Sequence, residues 1–117
     1  MRHLKAGRKL GRTSAHRQAL TRNLATALFE HGRIETTEAK AKEVRRWAEK
    51  LVTTAKVDDV HHRRQVARQI SREEVAAKLF DQYADQFRDR PGGYTRIVAK
   101  GPRPGDGAPV VILELVD

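Results

Sequence analysis

The stretch of sequence that decides the fold is residues 38–55, EAKAKEVRRWAEKLVTTA. Its apolar side chains recur at spacings of three, four and seven residues, which predicts a helix with one face in a core. That stripe consists of Ala41, Val44, Trp47, Ala48, Leu51, Val52 and Ala55. We expect Trp47 to be a core residue rather than a platform for stacking bases. On the opposite face, Arg46 and Lys50 repel each other across one turn, which indicates a ligand there.

Two further pairs on this helix have the four-residue spacing that favours ion pairs. Glu38 precedes Lys42 by one turn, and Arg45 precedes Glu49 by the same distance. We therefore predict that both carboxylates pair with a cation of their own helix.

The residues before this helix predict a second helix and a strand. Ser14 is a suitable N-cap and Gly32 a suitable C-terminal stop, which predicts a helix over residues 15–31. Its predicted inner stripe consists of Leu20, Leu24, Ala27, Leu28 and His31. Residues 33–37 read as a short strand with Ile34 facing inward.

The residues after it predict more helix and then a hairpin. Asp58 and Asp59 suit the start of a helix that runs to about residue 70. Ser71 with Glu74 forms a capping box, which opens a further helix that breaks near Asp81. The last predicted elements are strands over residues 94–99 and 109–116, joined by a loop over residues 101–108.

This order of elements predicts an α+β fold, with four or five helices packed on a small three-stranded sheet and an extended basic N-terminal tail. Residues 1–13 form the predicted tail, and residues 14–117 the single α+β domain. Only 38% of the 117 residues are apolar, so the core is small.

The positive charge is concentrated at the start of the chain. The chain carries 24 Lys and Arg against 15 Asp and Glu, a net charge of +9. No acid occurs before Glu30, and the seven cations there account for +7 of that charge. A solubilising tail or a transit peptide is the alternative, but the segment has few hydroxyls before Thr13 and leads directly into a core helix. We expect it to bind a polyanion and to become ordered on that partner.

Composition and spacing argue against several other classes of protein. The chain has no cysteine, which excludes disulfide scaffolds, iron–sulfur clusters and thiol nucleophiles. The longest apolar run, residues 110–113, is too short to cross a membrane. His61 and His62 lie beside two aspartates but lack further ligands at metal-binding spacing, so a solvated helix start is the better interpretation. We expect no metal, no cofactor, no small-molecule substrate and no enzymatic activity.

Short motifs along the whole chain resemble one known family. They are MRH (1–3), GRKL (7–10), SAHR (14–17), HGRI (31–34), AKLF (77–80), GGYTRI (92–97) and GDGAP (105–109). In order and spacing they resemble the bacterial large-subunit ribosomal protein seventeen family. The resemblance implies a protein of the cytoplasmic ribosome that binds large-subunit ribosomal RNA (rRNA) near the mouth of the peptide exit tunnel. It also implies contacts with neighbouring large-subunit proteins, and we expect a single copy rather than a homo-oligomer.

The candidate RNA-contacting residues have two sources. Those in family motifs of the first helix and the tail are Arg2, His3, Lys5, Arg8, Lys9, Arg12, Ser14, His16 and Arg17. Those that rest mainly on charge and position are Arg22, Lys40, Lys42, Arg46, Tyr94, Arg96 and Arg103. The cations are separated by glycine and short polar residues, which suits the irregular phosphates of folded RNA.

The alternatives are a DNA-binding nucleoid protein, with the middle helices acting as a helix-turn-helix, and a small nuclease using His61 and His62.

Overall fold

The computed structural model describes residues 14–117. Five helices and three strands follow one another along the chain. The helices are α1 (Ser14–His31), α2 (Glu38–Ala55), α3 (Val60–Gln69), α4 (Glu73–Lys78) and α5 (Ala84–Gln86), and the strands are β1 (Arg33–Thr37), β2 (Thr95–Pro102) and β3 (Pro109–Leu115). The predicted bounds of the second helix and the first strand are confirmed, and so is the α+β class.

The three strands form one antiparallel sheet in the order β1-β3-β2. Leu113 on the central strand lies opposite Ile34 on one side and Ile97 on the other. This row faces the helices, with Leu113 fully buried, while the alternate residues Val98 and Lys100 are exposed on the far face. The sheet is thus covered on one side and exposed on the other.

Helix α2 lies at the centre of the fold, and six of its seven predicted core residues are buried. Trp47 is the exception, since it is only half-buried. On α1 the predicted stripe is wrong by part of a turn, because the structure buries Thr21, Ala25, Leu28 and Phe29. Thr21 can be buried because its hydroxyl donates to the carbonyl of Arg17 at 2.9 Å, so its only polar group is satisfied.

Local signals account for two of the helix ends. Gly32 has φ +82°, and its N–H donates to the carbonyl of Leu28 at 2.7 Å, so α1 ends there as predicted. Asp59 caps α3 by accepting a hydrogen bond from the N–H of His62 at 2.7 Å. The capping box predicted at Ser71 is wrong, because α4 begins after Arg72, which makes no side-chain cap.

The α-helix predicted after Ser71 does divide into two pieces near Asp81, although no gap separates them. A π-helical turn, Leu79–Tyr83, connects α4 to α5 without a break. The N–H of Ala84 bonds to the carbonyl of Leu79, five residues back. The wider turn holds Leu79, Phe80 and Tyr83 in the core.

A row of aromatic rings connects this helical segment to the sheet. Phe29, Tyr83, Phe87 and Tyr94 follow one another with centroid separations of 5.6, 6.3 and 5.1 Å. The Tyr83 hydroxyl donates to the carbonyl of Phe29 at 2.8 Å. Tyr94 precedes β2, which begins at Thr95 and continues through a bulge between Ala99 and Gly101 to Pro102.

Glu49 on α2 fixes the start of β2, and the predicted Arg45–Glu49 ion pair is therefore wrong. Its carboxylate accepts hydrogen bonds from the N–H of Gly93 and the N–H of Thr95, both at 3.0 Å, and from the Thr95 hydroxyl at 2.8 Å. The predicted pair between Glu38 and Lys42 is confirmed, with Oε1 and Nζ 2.9 Å apart.

We expect Glu49→Ala to lower the free energy of unfolding by about 2–3 kcal/mol, because it leaves the N–H and the hydroxyl of buried Thr95 without their acceptor. Glu49→Gln keeps one acceptor oxygen and should lose about half as much. Urea unfolding measures both variants. The exposed Asp89→Ala is the control and should stay within about 0.5 kcal/mol of the natural protein. Equal stability of Glu49→Ala and the control would contradict this role.

Candidate nucleic-acid interface

Six of the predicted RNA-contacting residues belong to the stretch before Ser14 and lie outside the described residues. They are Arg2, His3, Lys5, Arg8, Lys9 and Arg12. The predicted boundary between the tail and the domain falls just before Ser14, at the edge of the described residues. The RNA contacts of these six residues and the boundary therefore remain predictions.

Four more candidates lie on helix α1. Ser14 and His16 are exposed in its first turn, and Arg17 is half-buried. Arg22 turns toward the rest of the fold, where its Nε donates to Oε1 of Gln69 on α3 at 3.2 Å. Its guanidinium carbon lies 6.0 Å from the ring centroid of Trp47, at the outer limit of a cation–π contact.

Arg46 lies in a groove between α2 and α3, which we call the α2–α3 groove. Its volume is about 490 Å³, and its lining consists of Arg46, Trp47, Lys50, Leu51, Thr54, Gln65, Arg68 and Gln69. Arg46 has Glu43 as a partner at 3.6 Å. Among residues 14–117, no carboxylate lies within ion-pair distance of Lys50 or Arg68. Arg46 and Lys50, which are predicted to repel each other, thus both line a basic groove.

Lys40 and Arg103, which are distant in sequence, line a second groove, here called the hairpin groove. It lies between the start of α2 and the β2–β3 hairpin, has a volume of about 480 Å³ and also includes Lys100. Lys100 pairs with Glu35 at 2.6 Å. Within the described part of the chain, Lys40 has no ion pair. Two of the predicted residues therefore converge here, and one of them has its charge uncompensated.

Arg103 is held in the hairpin loop by Asp106. Its Nε donates to one oxygen of that carboxylate at 3.0 Å, and its Nη2 contacts the other. This bond to Arg103, together with the N–H of Ala108 at 3.1 Å, holds the pKa of Asp106 well below its usual range. The loop thus presents Arg103 already oriented.

We expect Arg103→Gln to raise the pKa of Asp106 toward the ordinary aspartate value. Because the folded-state pKa is depressed, the pair is fully formed above the ordinary aspartate pKa of about 3.9 and is lost as the pH falls through the lower, folded-state value. Carboxyl carbon NMR of Asp106 measures the midpoint directly. Arg96→Gln, which removes a cation elsewhere on the sheet, should leave that midpoint unchanged. An unshifted midpoint in Arg103→Gln would contradict the pairing.

Three remaining candidates are less available to RNA than predicted. Lys42 pairs with Glu38 at 2.9 Å on α2, and Arg96 pairs with Glu114 on the exposed face of the sheet. Tyr94 is 1% exposed, so it is a core residue. The prediction that Tyr94 contacts nucleic acid does not fit this position, because the turn at Gly92 and Gly93 directs its ring against Phe87.

Nδ1 of His62 lies 2.7 Å from Oδ1 of Asp59, the same oxygen that caps α3 by accepting from the His62 N–H. Among residues 14–117, no three metal-ligating side chains converge. In the same range no helix is both long and apolar enough to cross a membrane.

Three cations of these grooves were not among the candidate RNA-contacting residues, although the spacing of Lys50 from Arg46 had indicated a ligand there. Arg68 lines the α2–α3 groove and Lys100 the hairpin groove. Arg68 carries a weak signal, since it lies on the helix predicted after Asp59 and four residues beyond another arginine, Arg64. Lys100 carries none, because its position results from the bulge that continues β2 past Ala99.

Comparison with known proteins identifies the family. Residues 20–116 match the family described as Ribosomal protein L17. The large ribosomal subunit protein bL17 of Desulfosudis oleivorans is 53% identical over 99% of this chain, and that of Geobacter metallireducens is 53% identical over all of it. The chain spans 56% and 66% of those two relatives, respectively.

The bL17 protein of Alkaliphilus metalliredigens is 58% identical over 93% of this chain, which covers 96% of that relative. The chain therefore belongs to the ribosomal protein L17 family, which confirms the family predicted from its motifs.

Proposed function

We propose that this chain is a structural constituent of the large ribosomal subunit, which binds and stabilises folded rRNA and so supports translation. The names of its relatives, which describe proteins of the large ribosomal subunit, support this role. The contacts would come from the basic N-terminal tail and from basic helix surfaces. No cofactor or small-molecule substrate is part of the proposal.

The observation that carries the proposal is the separation of charge along the chain. The first 29 residues hold seven cations and no acid, whereas the remaining 88 residues hold 17 cations and 15 acids. The α2–α3 groove and the hairpin groove add Lys50, Arg68 and Lys40, which form no ion pair among residues 14–117. These positions concentrate positive charge where phosphates can compensate it.

The proposed mechanism is neutralisation of RNA strands that would otherwise repel each other. Cations that meet phosphates release condensed counterions, so the affinity depends steeply on salt. Arginine contributes most, because its planar guanidinium forms paired hydrogen bonds with phosphate oxygens. A segment that orders only on its partner can follow an irregular RNA surface, at the expense of conformational entropy.

The position of the chain in the subunit is part of the proposal. We place it at the mouth of the peptide exit tunnel, beside neighbouring large-subunit proteins, in a single copy in the cytoplasmic ribosome. The resemblance of its motifs to the family supports this placement.

A competition titration tests the choice of nucleic acid. Labelled rRNA bound to the full chain is displaced either by unlabelled rRNA or by duplex DNA of equal phosphate concentration at 0.1–0.2 M salt. We expect rRNA to compete at least tenfold better, because folded RNA presents converging phosphates and unpaired bases. Equal competition by duplex DNA would favour the nucleoid alternative.

A single introduced cysteine tests the position. The chain has no cysteine, so Val98→Cys, on the exposed face of the sheet, gives one attachment site for a tethered cleavage reagent. In reconstituted large subunits we expect cleavage of rRNA around the tunnel mouth. Cleavage confined to the surface that faces the small subunit would contradict the placement.

A further inference from the structure

We propose that the α2–α3 groove holds one unpaired RNA nucleotide, with the base against the indole of Trp47 and the phosphate between Lys50 and Arg68. This inference rests on the proposed binding of RNA and adds a specific site to it. The site is separate from the N-terminal cations and from the hairpin groove.

The position of Trp47 is the first reason. By spacing it belongs to the buried stripe of α2, and Val44, Ala48 and Leu51 around it are all buried. Trp47 itself is only half-buried and forms part of the groove wall. A large ring left partly uncovered between two helices provides a flat surface on which another ring can stack.

The charge of the groove is the second reason. Arg46, Lys50 and Arg68 line the same groove as the indole, and the guanidinium carbon of Arg22 lies 6.0 Å from the ring centroid. Arg22 is kept in place by its hydrogen bond to Gln69, another residue of the lining. The lining contains no acid. Such a site favours an anion that also carries a flat apolar surface.

The composition of the lining favours a nucleotide over an acidic peptide. A phosphate would meet Lys50 and Arg68, a base would meet the ring, and the amide of Gln65 can hydrogen-bond to a base edge. An acidic side chain would satisfy the cations but would leave the indole uncovered. The volume of about 490 Å³ lies within the range of pockets for small ligands, so it suits one nucleotide and not a duplex.

Intrinsic fluorescence tests the site, because Trp47 is the only tryptophan of the chain. The full chain is titrated with a single-stranded hexa-adenylate, a duplex RNA, polyphosphate and polyglutamate at matched charge, while polarisation of labelled RNA follows total binding. We expect hexa-adenylate to quench Trp47 strongly and the other three to quench it little. Equal quenching by polyphosphate or polyglutamate would overturn the proposal, since neither carries a base.

The cations are tested with matched double variants. Lys50→Ala/Arg68→Ala removes the two groove cations, and Arg45→Ala/Arg64→Ala removes two exposed cations from the same helices outside the groove. We expect hexa-adenylate quenching to require roughly tenfold more ligand in the first variant and to change less than twofold in the second. Equal effects would assign the binding to overall charge and overturn the site.

The ring is tested with Trp47→Phe and Trp47→Leu, which both keep an apolar side chain at this position of α2. Polarisation of labelled hexa-adenylate should show Trp47→Leu about tenfold weaker than the natural chain and Trp47→Phe between the two, because stacking needs a ring. Equal affinities of the two variants would overturn the base contact. If polarisation shows that RNA binds while Trp47 fluorescence is not quenched, the proposed site is wrong and the proposed function stands. If no RNA binds at all, the proposed function fails with it.

Discussion

Replacing Tyr94 by alanine is expected to lower the free energy of unfolding by about 3–5 kcal/mol. The ring is 1% exposed and lies 5.1 Å from the Phe87 ring, centroid to centroid. Its hydroxyl shares a 3.1 Å hydrogen bond with that of Thr53, which connects the start of β2 to α2. Chemical denaturation of the full chain measures the loss. A decrease below 1 kcal/mol would show that the ring is not part of the core.

Tyr94→Phe separates the core role from contact with RNA. This variant keeps the ring and loses only the hydroxyl bond, so we expect a cost of about 1 kcal/mol and unchanged affinity for rRNA. A loss of RNA affinity at unchanged stability would restore the contact predicted from the sequence.

Removing Arg8 and Lys9 is the change with the largest expected effect on binding. If all seven cations before Glu30 meet phosphates, log K falls with log salt with a slope of at most about −6. Arg8→Gln/Lys9→Gln should flatten that slope by about 2 and weaken binding roughly 50-fold at 0.1 M salt. Polarisation of labelled rRNA between 0.05 and 0.4 M salt measures both quantities.

A charge-matched variant distinguishes local contacts from net charge. Arg64→Gln/Arg88→Gln also removes two cations, which are exposed and lie outside the two grooves, Arg64 on α3 and Arg88 in the turn after α5. We expect the salt slope of this variant to change by less than half of the change in Arg8→Gln/Lys9→Gln. If the two double variants have equal slopes, the charge of the first residues has no special role.

The sequence predicted those parts of the fold that depend on one element and its own ends. The stripe of α2 was recognisable because seven of its eight apolar residues lie on one side of the helix, and Gly32 marked the end of α1. On α1 the apolar residues are spread around more of the helix, so their spacing wrongly predicted that the face containing Leu20 is buried. The structure instead buries Thr21, because the neighbouring turn satisfies its hydroxyl.

The parts that could not be predicted depend on how elements pack against one another. Tyr94 alternates with Arg96 in the sequence, but the Gly92-Gly93 turn directs it into the core. Glu49 is next to a suitable cation on its own helix, yet it satisfies the N–H groups at the start of β2. The basic grooves combine side chains from separate elements, so no local pattern groups them.

The most direct test of the account is co-sedimentation of the full chain with large ribosomal subunits. The chain is incubated with subunits that have been depleted of this protein and then centrifuged at increasing salt. We expect it to sediment with the subunits at low salt and to be released only at high salt, with Arg8→Gln/Lys9→Gln released earlier. A chain that stays in the supernatant at low salt, or a double variant released at the same salt as the natural chain, would contradict the account.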